Sequence, residues 1–266
     1  MDVNEARLNT PPERPTCRTV VKETSARMGK RGVMVTMLGS LLFCGAATYM
    51  ALCLSELLIA LVHLLPVTEL TLALFTDGFH ALGFLAFFLL VMPLWLGRLR
   101  MSGLLWRGDV PVAGELFYYF TAGRRLLRAW RVSFVALAGA FFPVGVIFIL
   151  YQCAYFLQPG AMLILYTVGV ALLALGLLLL SGFWLPFVGI AVGNESLPVR
   201  HALELALRAG RRHFKLITRF TLRSLLWLAL SLVTMGVLLV LYFAHFYNLS
   251  YLRLCMAICP KEEHVQ

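Results

Sequence analysis

A chain of 266 residues that is 61% apolar and only 14% charged carries more apolar surface than one or two soluble domains can hide. With a mean hydropathy of +0.84, the composition excludes a disordered, collagenous or disulfide-stapled chain and points to a polytopic, all-α transmembrane bundle. The formal net charge of +10 is gathered into three basic blocks, at residues 1–32, 98–131 and 200–223.

The first 32 residues are polar and include Thr10-Pro11-Pro12-Glu13-Arg14-Pro15. They read as a flexible, basic, solvated arm and not as the short leader of a cleaved signal peptide. Residues 33–97 hold no Lys or Arg, which leaves room for two spans of roughly 20 residues. Spans are expected near 34–62 and 80–97, joined by a turn from Pro66 to Gly78. Glu56 is the one carboxylate deep in this run and a possible intramembrane polar site. Asp77 and His80 are read as a polar pair capping the start of the second span.

After the second basic block, residues 132–199 are again free of Lys and Arg. Spans near 132–157 and 161–187 are expected there, turning at Gln158-Pro159-Gly160. Both turns lack Lys and Arg, so the positive-inside rule puts the basic blocks and the amino terminus in the cytoplasm. The stretch from Ser224 to Ile258 is broken only by Arg253. It is either one long helix with an interfacial tail, or a hairpin turning at Thr234-Met235-Gly236 with spans near 215–234 and 237–256. Five or six spans result, with six preferred, and residues 259–266 form a polar tail. Pro93, Pro143 and Pro186 are expected to kink helices or mark span ends, while Gly139, Gly169, Gly176 and Gly182 allow close helix contacts.

Two segments resemble each other and suggest a parallel internal repeat. Ala122-Gly123-Arg124-Arg125 recurs as Ala209-Gly210-Arg211-Arg212, and Gly145-Val146 with Tyr151 recurs as Gly236-Val237 with Tyr242. Each unit reads as a basic amphipathic interfacial helix running into an apolar span. The first presents Leu116, Phe120, Gly123, Leu127 and Trp130 on one face; the second presents Val199, Leu203, Ala206, Gly210 and Phe214, with Ser196 as a cap ahead of Pro198. Arg124, Arg125, Arg128, Arg131, Arg208, Arg211, Arg212 and Lys215 then have two readings. They grip anionic headgroups on the cytoplasmic face, or they only set topology, which needs no ligand.

Catalytic patterns are missing. No P-loop, HExxH, GxSxG or dinucleotide fingerprint is present, so no enzyme activity, cofactor or metal is expected. His245 reads as a packing residue, and Cys255 with Cys259 lacks the further ligands of a zinc set. The sequons at Asn194 and Asn248 are discounted. Aromatic residues among the basic blocks suit a membrane interface better than nucleic acid.

With Ala202-Leu203 through Gly210, Phe214-Lys215-Leu216, Trp227 and Thr234-Met235-Gly236, the carboxyl-terminal half resembles a family of uncharacterised bacterial multi-pass integral membrane proteins that share a domain of unknown function. Gly97-Arg98 through Gly114-Glu115-Leu116-Phe117 is similar to the family's middle cytoplasmic segment. The chain departs at Ala244-His245, where the family has a Pro-Tyr pair. The resemblance implies six spans and a cytoplasmic carboxyl end, and supplies no site residues. The expected function is a non-enzymatic, lipid- or partner-binding bundle of the inner membrane, accessory to an envelope or transport system. The alternative is a small transporter or permease component using Glu56.

Overall fold

Long apolar runs with few breakers favour helices, since in an apolar medium only a helix satisfies its own backbone. The computed structural model describes residues 20, 22–24, 32–64, 68–107, 109–155, 164, 167–169, 185–233 and 244–258; every regular element among them is helical. Helix α1 is Val33–His63 and α2 is Glu69–Ala86. A π-helical turn, Phe87–Val91, joins α2 to α3, Met92–Arg107. Among the described residues, two helices are long and apolar enough to cross a membrane: the 31-residue α1 and the 39-residue run from Glu69 to Arg107.

The link between them differs from the sequence reading. Thr68, in extended conformation, caps α2 by accepting the Thr71 N–H, so the helix begins at Glu69. A threonine hydroxyl ahead of an apolar run serves an open helix N–H better than an acid inside the run. Asp77 and His80 are therefore exposed on the helix wall, about two turns or more inside it.

Pro93 shapes the next link. It has no N–H to offer the Leu89 carbonyl four residues back, and the Trp130 indole donates to that carbonyl instead, at 3.0 Å. The π-helical turn just before Pro93 is the usual way a helix absorbs such a defect. By contrast, α4 runs unbroken through Pro143.

Beyond α3 lies a 3₁₀ helix, Ala113–Thr121, then α4, Gly123–Tyr155. The first amphipathic segment is thus not a separate α-helix. Ala122 is extended, at φ −152° and ψ 137°, and divides it. The cause is local crowding: a Cβ at Gly97 would collide with the Leu116 carbonyl, so the 3₁₀ backbone lies directly against α3. Three residues per turn then put Leu116 and Tyr119, both buried, on one face.

Helix α5 is Leu185–Gly193, α6 is Val199–Val233 and α7 is Ala244–Ile258. Pro198 precedes α6 and its carbonyl accepts the Ala202 N–H at 3.0 Å, so the cap position falls on Pro198, two residues past the expected Ser196, and the helix starts at Val199. The second amphipathic segment is continuous with the following helix, bending only at His213 (φ −114°, ψ 19°). Its apolar face is the expected one, with Ala206 and Gly210 buried. The two Ala-Gly-Arg-Arg copies therefore differ locally, one at a helix start and one inside a helix. Gly145 and Tyr151 lie on α4, while Gly236 and Tyr242, the turn at 158–160 and most of the expected 161–187 span lie outside the described residues.

Two buried clusters hold the elements together. Val33, Met37 and Cys44 of α1 meet Leu94, Met101 and Leu105 of α3, Leu116 and Leu249. The larger cluster joins α3, α4, α5, α6 and α7, with Phe187, Ala202, Ala206 and Leu252 fully enclosed. Gly189 lets α7 approach α5, because a Cβ there would strike Cys255.

Residues 20 and 22–24 also correct the expectation of a wholly solvated arm. They are helical, and Thr24 is completely buried, accepting a hydrogen bond from Ser250 at 3.1 Å. Glu23 pairs with Arg253 at 2.7 Å. Val20 and Thr24, four apart, share a face, and that face turns inward.

Candidate interfacial site

The basic blocks do not behave as one class. In the 98–131 block, three-residue periodicity lines up Glu115, Tyr118 and Thr121 on one face of the 3₁₀ helix. Arg100, midway along α3, pairs with Glu115 at 3.5 Å and with Glu195 at 3.2 Å. Glu195 belongs to the α5–α6 connection, so a single guanidinium ties the 3₁₀ helix and that connection to α3.

Tyr118 stands between two cations. The Arg100 guanidinium lies 3.6 Å from its ring centroid and that of Arg125 lies 4.2 Å away. The phenol donates to the Glu195 carboxylate. Partial burial, reinforced by the hydrogen bond to Glu195, raises the Tyr118 pKa above its usual value. Tyr119 is raised further, mainly by burial and then by the charge on Glu195. Both phenols therefore stay neutral through the physiological range. Arg125 also donates to Thr121 at 2.7 Å.

Arg128 has a different job. One η nitrogen donates to the Leu197 carbonyl at 2.6 Å; the other donates to Ala191 at 3.1 Å and Asn194 at 3.0 Å. Arg107 donates to the Gly193 carbonyl at 2.7 Å. The last carbonyls of a helix have no partner of their own and carry partial negative charge; here two arginines from other elements supply both hydrogen bonds and countercharge. Arg128 is thus committed within the fold, whereas Arg125 is exposed and rests on Thr121 and the Tyr118 ring.

The other six basic candidates face outward. Arg124, Arg131, Arg208, Arg211, Arg212 and Lys215 are exposed. Glu204 is occupied by Arg200 and His201, and no acid follows it before residue 262. Glu56 is exposed on the wall of α1 and is not drawn into the cluster.

Sequence reasoning missed Arg100, Glu115 and Glu195 as a unit. The available signal was the isolation of two acids within strongly basic surroundings. It also missed Arg98, treated only as a topology charge. Arg98 is 1% exposed, with its guanidinium 5.6 Å from the Trp95 ring centroid. Among the described residues, no three His, Cys, Asp or Glu side chains gather in a metal-binding group. Cys255 is buried on α7 and Asn248 lies on the same helix; Cys259 lies outside the described residues, and so does the His245 side chain.

The arrangement can do two things chemically. It locks the ends of α3, α5 and the 3₁₀ helix together, and it offers a surplus of open guanidinium groups to an anion. Comparison with protein-family models, with curated proteins and with solved structures finds no match.

Proposed function

We propose that this chain is a non-enzymatic integral membrane bundle whose basic face binds anionic phospholipid headgroups at the cytoplasmic side of a bacterial inner membrane. In this reading it has six spans, places both termini in the cytoplasm and serves a membrane-protein partner in an envelope or transport system. The resemblance in the carboxyl-terminal half belongs to the same proposal and implies the same topology.

The observation that carries the reading is the division of labour among the arginines. Acids and helix-end carbonyls already occupy Arg100, Arg107 and Arg128, while Arg125 lies over the Tyr118 ring and donates to Thr121. Arg124, Arg131, Arg211 and Arg212 stand exposed. Arginine near a negative surface contributes about 1 kcal/mol per residue, enough to favour anionic over zwitterionic lipid. Topology alone would be served by the same charges, so lipid retention is the deciding measurement.

Replacing Arg124, Arg131, Arg211 and Arg212 with Gln is expected to reduce retained phosphatidylglycerol in native mass spectrometry of the purified protein, while phosphatidylcholine retention stays low. Equal phosphatidylglycerol retention by parent and variant would end the proposal. Transport through Glu56 has no comparable support, because its carboxylate stands on the outer wall of α1.

A further inference from the structure

The basic stripe on α6 does not stop at Lys215. At 100° per residue, Lys215, Arg219, Arg223, Leu226 and Leu230 fall within an arc of about 80° on the helix beyond His213. All five are exposed, with Leu226 at 73% and Leu230 at 49%; neighbouring Leu222 is also 49% exposed. The opposite face is occupied: Ile217 and Phe220 are buried, and Phe220 stacks on Tyr247 of α7. One continuous outer stripe therefore changes from cationic to purely leucine within about one helical turn.

We propose that this stripe is a seat for one anionic phospholipid, with its phosphate bracketed by Arg219 and Arg223 and an acyl chain lying along Leu222, Leu226 and Leu230. The inference rests on the lipid-binding reading above and deepens it by naming where one lipid is held.

The register makes the argument. Arg219 and Arg223 are four residues apart, about 6 Å along the axis, so their guanidiniums can share one phosphate with charge-assisted hydrogen bonds. Leu226 and Leu230 continue the same line for about 10 Å, the direction an acyl chain takes from its headgroup. A soluble acidic protein would be matched by the cations alone and would leave three exposed leucines uncovered. A phospholipid matches both halves of the stripe. Charge complementarity is unopposed, since residues 205–233 contain no Asp or Glu.

The test titrates full-length protein in detergent with phosphatidylglycerol and with phosphatidylcholine, reading bound lipid by native mass spectrometry and the fold by melting temperature. The parent is expected to hold one phosphatidylglycerol tightly. R219Q/R223Q should weaken that binding about thirtyfold, as the loss of two cations at about 1 kcal/mol each requires. R219K/R223K should retain most of it, and R211Q/R212Q should affect this tight site less than R219Q/R223Q. If the double Gln variant fails to fold, R219Q and R223Q singly carry the same comparison.

Unchanged phosphatidylglycerol binding in R219Q/R223Q would overturn the seat while leaving the broader headgroup reading intact. Equal binding of phosphatidylcholine by the parent would overturn both. Release of phosphatidylglycerol by millimolar inorganic phosphate would show a site for the free anion and would overturn the acyl-chain half. Displacement of the lipid by an acidic protein, without preference between the two lipids, would also overturn it.

Discussion

On α1, Tyr49, Met50 and Leu57 are 69%, 72% and 58% exposed; on α5 and α7, Phe187 and Leu252 are fully enclosed. The two regions draw on similar residues but use them differently. The α1–α2 hairpin makes a close contact where Gly83 of α2 lies against Ser55, and leaves most leucines facing outward. The knot formed by α3, the 3₁₀ helix, α5, α6 and α7 buries its apolar residues against one another and ties its ends with ion pairs. Apolar content alone therefore does not identify a core. In the hairpin the surrounding medium is left to cover the side chains, whereas the knot supplies its own cover.

Truncation should separate the two regions most sharply. Leu252→Ala removes a side chain with no exposure and is expected to cost about 3 kcal/mol. Leu57→Ala on the hairpin should cost less than about 0.5 kcal/mol. Melting of both variants in the same detergent checks the contrast, and similar losses would erase the distinction.

A smaller effect is expected at Arg100, which links two acids but is partly accessible, at 16% for its side chain. Arg100→Gln should destabilise by about 2 kcal/mol, below the range for breaking a fully buried pair because water screens the acids left behind. A double-mutant cycle with Glu195→Gln should recover part of the loss. Strict additivity would mean that the pair does not hold the loops together.

The smallest effect is one of pH. The folded Tyr118 and Tyr119 have raised pKa values, so the fold favours their neutral forms. That contribution is complete below the ordinary tyrosine pKa near 10 and is lost as pH rises through the folded values. The parent should lose melting temperature above about pH 10, and Tyr119→Phe should lose less over the same interval. Parallel curves for the two proteins would show that burial of Tyr119 does not govern the alkaline response.

The helical class and the inward face of α6 were legible because both depend on local period: Ala206 and Gly210 repeat at the spacing that packing requires. The 3₁₀ helix was not legible. Its backbone is set by Gly97, which is distant in sequence and allows Leu116 to come close. Arg128 looked identical to Arg124 and Arg131 because a charge count cannot reveal which arginine will meet the end of α5. Thr68 was readable in principle, as a threonine ahead of an apolar run, but the acid at Asp77 drew the boundary too far along. Glu195 was hidden by its neighbours, which read more readily as a sequon and a helix cap.

The contact between Thr24 and Ser250 spans 226 positions, and this separation has a consequence for the order in which the molecule is assembled. During synthesis the segment holding Thr24 leaves the ribosome well before its hydrogen-bonding partner and Arg253, which follow Thr24 and Glu23 by 226 and 230 positions. Until then Thr24 and Glu23 have no place to dock, and the segment must wait outside the bundle. Its docking is thus a late closing step, made when the last helix joins the first residues of the fold. Cleavage by protease at residues 22–24 should accordingly mark chains in which α7 is not yet in place, and fade once it is.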